Sequence, residues 1–238
     1  MSAFALLGSG EFEPWSSTVD GWALGEADGD GRVLILPTAS AREGAHVFDG
    51  WATKGLDHFA EAGVPAEVVP VKTREDAARA DLVERLAGAS VAYFSGGNPS
   101  YLASTMMDTP FWRALRDAMG RGLVYVGCSA GVACLGARAP DSDALELTED
   151  VWKPGLGVFA GTWFGPHWDA LDRYVPGLTD LIVSSVSPGE TLLAIDEVTA
   201  VVGDGGAWSV LGTAGAHVYV DGSWAHHASG SSFTLPIG

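Results

Sequence analysis

The stretch VYVGCSAGVACLG, residues 124–136, decides the fold. An apolar run stops at Gly127, Ser129 stands between the small residues Cys128 and Ala130, and Gly131 follows. Small neighbours let backbone pass close to backbone, so this reads as a buried strand that turns directly into a helix. The spacing Gly127, Ser129, Gly131 is G-x-S-x-G, the pattern of a strained turn that lifts a serine hydroxyl above the carboxyl end of a strand. A helix behind such a turn would aim backbone N–H groups at a developing oxyanion. The plainer reading is a glycine-rich turn in which Ser129 caps the helix.

Other apolar runs extend the same pattern. FALLG (4–8), RVLILPTAS (32–40), AEVVPVK (66–72) and ASVAYFSGG (89–97) read as strands. HVFDGWATKGLDHFAEAG (46–63), REDAARADLVERLAG (74–88) and PFWRALRDAMGRG (110–122) read as helices, the first two closed by glycine. Continuous apolar strands separated by helices imply an α/β/α sandwich around a mostly parallel central sheet. After residue 190, turn signals recur every few residues with little helix, which predicts extra C-terminal strands and hairpins extending the sheet edge. No linker, repeat or low-complexity segment interrupts residues 1–238, so a single domain is expected.

Hydrophobic residues make up 47% of the 238, which excludes a disordered chain. No apolar run reaches the roughly 18 residues of a membrane helix, and the N-terminus lacks a basic leader region. A cytoplasmic protein is the expectation. Cys128 and Cys134, if on one helix, stand roughly 9 Å apart, beyond the about 7 Å of a disulfide; reduced, buried thiols are expected. The net charge of −17, from 13 Lys and Arg against 30 Asp and Glu, argues against nucleic acid and anionic membranes as partners. Neither H-E-x-x-H nor a C-x-x-C pair occurs, so no metal or cofactor is expected.

In a parallel sheet, ligands meet the carboxyl ends of the strands. SGGN (95–98) ends one such strand, and its glycines would let the N–H of Gly97 join that of Ala130 in an oxyanion hole. The same residues also suit a helix start, with Asn98 as N-cap and Pro99 at the first position. A serine nucleophile needs a base and an orienting acid. Of the six histidines, His46 and His58 lie on a helix before the site, His217 lies within a strand, and His226 and His227 lie in a polar hairpin. His167 follows an apolar run and Gly-Pro, where the chain turns. The acid candidates are Asp141, Asp143, Asp196 and Glu197. Asp196 and Glu197 are adjacent in an apolar strand, LLAIDEVTAVV, so at most one of them faces the site.

In order and spacing, GCSAG (127–131), SGGN (95–98), GPHW (165–168) and AIDEVTA (194–200) resemble the S51 serine peptidases, the aspartyl dipeptidase (peptidase E) and cyanophycinase group. LLGSGEF and LPTAS (36–40) look like the first two strand ends of that group. The resemblance covers most of the chain and implies the class I glutamine amidotransferase-like (flavodoxin-like) fold. It implies a triad of Ser129, His167 and Glu197, an oxyanion hole at Gly97 and Ala130, and substrate contacts from Asn98 and Arg173. Two departures stand out. Cyanophycinases generally carry Gln near Pro99 and a second arginine where this chain has Leu171; GPHW is nearer the peptidase E form.

The expectation is a serine peptidase acting on a small peptide, possessing N-terminal Asp or isoaspartyl preference if Arg173, or secondarily Arg42, offsets a substrate carboxylate. It would act alone or as a homodimer. One rival is an α/β-hydrolase esterase using Ser129, Asp196 and then His226 or His227. The other is a non-catalytic relative that binds a small ligand in the same cleft.

Overall fold

The computed structural model describes residues 2–144 and 146–235. The strands follow in chain order as β1 (Phe4–Leu7), β2 (Val33–Leu36), β3 (Ala66–Val68), β4 (Val91–Phe94) and β5 (Val124–Cys128). Then come β6 (Arg138–Pro140), β7 (Trp152–Pro154), β8 (Thr162–Pro166), β9 (Thr191–Ile195) and β10 (Thr199–Gly203). The last are β11 (Ala207–Gly212), β12 (Gly215–Val220), β13 (Ser223–Ala228) and β14 (Ser232–Thr234). The helices are α1 (Ser17–Glu26), α2 (Ala45–Glu61), α3 (Ala80–Val83), α4 (Pro99–Met106), α5 (Pro110–Met119), α6 (Ala130–Ala133), α7 (Leu171–Tyr174) and α8 (Leu178–Ser185).

The main sheet runs β14-β11-β10-β1-β5-β4-β2-β3. Its β1, β5, β4, β2 and β3 are parallel, and β10, β11 and β14 continue it antiparallel. Strands β1, β2, β4 and β5 are buried along their whole length, which explains their unbroken apolar runs. Side chains alternate between two layers. Ala5, Leu7, Ile35 and Tyr93 face Val19 and Ala23 of α1 and Phe59 of α2. Leu6, Leu36, Phe94 and Tyr125 face Leu102 of α4, Phe111 and Leu115 of α5, and the second sheet. The result is the α/β/α sandwich with added C-terminal strands.

Two sequence expectations change. The C-terminal strands do not all extend the sheet edge: β9, β12 and β13 join β8 in a separate sheet of order β13-β12-β9-β8. One face of that sheet packs on the main core through Leu193 and Ile195, and the other meets Leu178 and Ile182 of α8. The continuous helix expected over 74–88 is instead short turns around α3. The Asp76 carboxylate accepts the backbone N–H groups of Lys72 and Thr73, each at 3.0 Å, and Arg79 is extended (φ −75°, ψ 126°). A side chain that satisfies the preceding turn competes with helix continuation.

The turn after β5 is tighter than a simple strand-to-helix junction. Ser129 has φ 51° and ψ −103°, and α6 behind it is a single turn. Such a backbone stores about 1–3 kcal/mol and persists only where its surroundings enforce it. The Ser129 N–H donates to Leu7 O (3.0 Å), and Ser129 O accepts from Val132 and Ala133 N–H (both 2.9 Å). A Cβ on Gly131 would stand 2.6 Å from Phe94 O, and one on Gly127 2.7 Å from the Gly131 carbonyl carbon. Tyr125 closes the underside, its hydroxyl donating to Gly131 O at 2.7 Å while its ring stacks on Phe94 at 5.0 Å.

Cys128 and Cys134 are free and fully buried. Burial pushes the Cys134 thiol up to about 12 and also raises that of Cys128 well above its ordinary value, helped by the Glu11 carboxylate beside it. Neither thiol is therefore expected to react with a disulfide reagent at pH 8 until urea unfolds the chain, when both should react; rapid labelling of the folded protein contradicts this packing. Gly127→Ala and Gly131→Ala should each lower stability in urea by about 1–3 kcal/mol. Gly21→Ala on α1, where an added Cβ meets nothing within 4 Å, should be neutral or stabilising. Equal effects at all three positions would show that the close approach at the turn does not matter.

Candidate active site

At the carboxyl end of the parallel strands, three side chains form a hydrogen-bonded line. Ser129 Oγ lies 2.9 Å from His167 Nε2, and His167 Nδ1 lies 2.9 Å from Glu197 Oε1. A carboxylate can only accept, so His167 donates Nδ1–H to Glu197 and keeps a lone pair on Nε2 for the serine proton. The second sheet supplies both partners. β8 and β9 run parallel with Pro166 opposite Ile195, so their ends place His167 and Glu197 side by side. His167, like Ser129, has a positive φ (56°). Burial raises the carboxyl of Glu197, but hydrogen bonds from His167 and Tyr174, and the charges of His167 and Arg173, outweigh it and hold the group below 4.5. The Tyr174 hydroxyl donates to Oε1 at 3.0 Å, and Asp169 accepts the Glu197 backbone N–H at 2.8 Å.

The loop after β4 lies against the serine: a Cβ on Gly96 would stand 3.6 Å from Ser129 Cβ. Gly97 has φ 138°, and a Cβ there would stand 2.6 Å from Ser40 N, so the loop can close only with glycine. Gly96 N–H donates to Glu11 Oε1 (2.8 Å), and Cys128 Sγ–H donates to Glu11 Oε2 (2.8 Å). Asn98 N–H donates to Ala39 O (2.9 Å). Among the hydrogen bonds of the described residues, the N–H groups of Gly97 and Ala130 have no protein acceptor.

The remaining sequence candidates lie outside this hydrogen-bonded line. Asn98 does cap α4: its Oδ1 accepts from Tyr101 N–H and Ser100 Oγ–H, and its Nδ2 donates to Asp141 Oδ1 at 2.8 Å. Its buried amide is thus engaged within the protein and holds Asp141 in place. Arg173 is largely exposed and stands behind the line, its Nη2 3.9 Å from Glu197 Oε2. Asp143 faces Arg42 at 3.7 Å. Asp196 points to the opposite side from Glu197, as strand alternation requires, and meets His217 Nε2 at 2.9 Å. His217 Nδ1 in turn meets His226 Nδ1 at 2.6 Å, and His227 stacks on Phe233. The imidazole that reaches Ser129 is that of His167, and the esterase order through Asp196 and His226 is not assembled at the serine.

A cavity of about 270 Å³ opens beside Ser129 and His167. Leu147, Phe164, Leu171, Val175, Leu178 and Ile182 form much of its wall, and Asp141 contributes a carboxylate. Hydrogen bonding from the Asn98 amide is the main cause that holds the Asp141 carboxyl below its ordinary range. A shallower depression of about 710 Å³ lies at the other end of the sheet, around Trp22 and Trp208; among the described residues hydroxyls line it but no imidazole or thiol does. Among the described residues, no three His, Cys, Asp or Glu side chains are grouped to hold a metal, and no helix is long and apolar enough to cross a membrane. Glu11, Asp169, Tyr174 and the apolar walls escaped the sequence reading. Only Glu11 left a signal there, as the lone carboxylate of GSGEF just beyond β1.

The sequence profile of peptidase family S51 matches residues 4–211. An uncharacterised peptidase of Bacillus subtilis, YgaJ, is 27% identical over 186 residues, covering 76% of this chain and 75% of its own. A cyanophycinase of Synechococcus elongatus is 25% identical over 197 residues, covering 77% of this chain; the match spans only 56% of the cyanophycinase. The crystal structure of a peptidase from an acI-B1 Actinobacterium superposes with a TM-score of 0.89 at 28% identity, over 99% of this chain and 97% of that one. A structure from Listeria monocytogenes, 16% identical, shares the fold with a TM-score of 0.63 over 90% of this chain and all of its own. With a profile that spans nearly the whole chain and relatives that share its sequence and fold, the protein belongs to peptidase family S51.

Proposed function

We propose that the protein hydrolyses short peptides through an acyl-enzyme on Ser129, with His167 as base and Glu197 as the orienting acid. The observation that carries this reading is the unbroken line from Ser129 Oγ through the imidazole to Glu197, with 2.9 Å at each step. In the first half-reaction Ser129 Oγ attacks the carbonyl carbon, and its proton passes to His167 Nε2. The resulting oxyanion receives the N–H groups of Gly97 and Ala130, which need no reorganisation because the glycine loop and the turn fix them in advance. The tetrahedral species collapses as His167 gives its proton to the departing amine. A water then repeats the sequence in reverse roles: His167 removes its proton, the hydroxide attacks the ester carbonyl, and Ser129 Oγ leaves with the proton held by His167.

Glu197 acts throughout as an ionised carboxylate that fixes the imidazole tautomer and stabilises the imidazolium. Glu11 supports the same step indirectly. By accepting Gly96 N–H it holds that peptide unit inward, which leaves the neighbouring N–H of Gly97 free for the substrate. Cys128 lies beneath the turn, bonded to Glu11, and takes no part in the chemistry.

Ser129→Ala should remove measurable turnover of peptide substrates, leaving only the residual effect of binding and the oxyanion hole. Glu197→Gln should lower kcat by about 10³–10⁴-fold with little change in KM. In the wild type, kcat should rise with pH in one step, because the base must be neutral to accept the serine proton. Glu197 should add no second step above pH 4.5, because its carboxyl titrates below that value. A Glu197→Gln enzyme of normal rate, or a Ser129→Ala enzyme that still turns over, contradicts the assignment.

A further inference from the structure

The cavity beside Ser129 has a character that acyl transfer alone does not demand. Its wall is built mostly from apolar side chains of β8, α7, α8 and the segment around Leu147, and among the described residues no lysine or arginine lines it. Leu178 and Ile182 also belong to the buried cluster under the second sheet, so that side of the wall is part of a packed layer, while Leu147 and Val175 form a more exposed rim. At about 270 Å³ the space lies just below the about 300–1,000 Å³ of sites for drug-sized ligands, a size suited to one residue and its neighbouring groups.

Asp141 stands in this lining with its Oδ1 accepting from Asn98 Nδ2 (2.8 Å) and from Asp143 N–H (3.2 Å). None of the described lysines and arginines forms an ion pair with it: Lys153 acts on it only through its charge, and Arg42 pairs with Asp143. A carboxylate beside apolar walls attracts a cation and repels an acid, and the chain's net charge of −17 reinforces both effects. Asn98, which holds Asp141, directly follows Gly97. The carboxylate is therefore tied to the loop whose amide would receive the carbonyl oxygen of the residue under attack.

We infer that this cavity selects a substrate residue with an apolar skeleton next to a cationic nitrogen: the walls take the carbon chain and Asp141 takes the positive charge. The cation is either the free α-ammonium of an N-terminal residue or the charged end of a basic side chain, and the chemistry at Asp141 is the same. An N-terminal aspartate, which the family resemblance suggests, is disfavoured because its carboxylate meets apolar walls and a second carboxylate. This inference rests on Ser129 being the nucleophile of the proposed peptidase.

The test is kcat/KM on the p-nitroanilides of Leu, N-acetyl-Leu, N-acetyl-Lys and Asp, with wild type, Asp141→Asn and Ser129→Ala. Leu-p-nitroanilide should exceed Asp-p-nitroanilide by tenfold or more. N-acetylation of the Leu substrate should cost about tenfold if the α-ammonium is read. If the cation is instead read from a side chain, N-acetyl-Lys should match or exceed Leu. Asp141→Asn keeps the acceptor for Asn98 and removes only the charge. It should shrink the preference for the better cationic substrate over N-acetyl-Leu by about tenfold. Turnover led by Asp-p-nitroanilide, or an Asp141→Asn enzyme with the wild-type preference, overturns this inference and leaves the nucleophile standing. Absence of Ser129-dependent turnover across all four substrates overturns the proposed function and this inference together.

Discussion

The site depends on one backbone constraint: the positive φ of Ser129. At that φ the serine leaves the sheet instead of continuing β5, and its hydroxyl rises at the carboxyl edge while its N–H still bonds to Leu7 O. The conformation holds because Gly127, Gly131 and Phe94 bring their backbones together at distances no Cβ allows. β5 lies between β1 and β4, so the loops that follow those two strands reach the same point. One carries Glu11, and the other carries the Gly96–Gly97 amides that Glu11 organises. Moving Ser129 would misplace the hydroxyl, the Ala130 amide and the seat of the glycine loop together.

The second sheet answers this geometry from the other side. The parallel pairing of β8 with β9 sets His167 beside Glu197, and strand alternation sends Asp196 away to His217. Two adjacent carboxylates thereby serve different networks. Glu197, supplied with hydrogen bonds from His167 and Tyr174, stays ionised in a partly buried position. In a chain with a net charge of −17, such local donors matter more than the global field, which repels any anionic substrate. The cavity continues the same logic, with apolar walls and a carboxylate where an acid-binding site would need cations.

Much of the fold was legible because β1, β2, β4 and β5 are buried along their length and so carry uninterrupted apolar runs. The serine turn was legible because close backbone approach leaves glycine at fixed positions. His167 and Glu197 were narrower inferences: adjacent-residue alternation separated Glu197 from Asp196 in principle, but only tertiary pairing of β8 with β9 shows which of the two meets the imidazole. What stayed hidden arises from contacts distant in sequence. Nothing local marks β9, β12 and β13 as leaving the main sheet, or Glu11 as the acceptor for Gly96, 85 positions away. The broken helix around α3 was missed because Asp76 caps the turn before it, a local competition that periodicity does not register. The bond from Asn98 to Asp141, 43 positions away, is equally invisible locally: the sequence marks Asn98 as a helix cap, which it is, but not as the donor that fixes this carboxylate.

The central claim is that the strained turn presents Ser129 as a nucleophile activated by His167. The most direct measurement is covalent labelling of the native protein with a fluorophosphonate, followed by peptide mapping in a mass spectrometer. The account predicts one adduct per chain on Ser129, formed faster as rising pH leaves the base neutral and abolished in His167→Ala. An adduct on another residue, or labelling of Ser129 at an unchanged rate in His167→Ala, would contradict it.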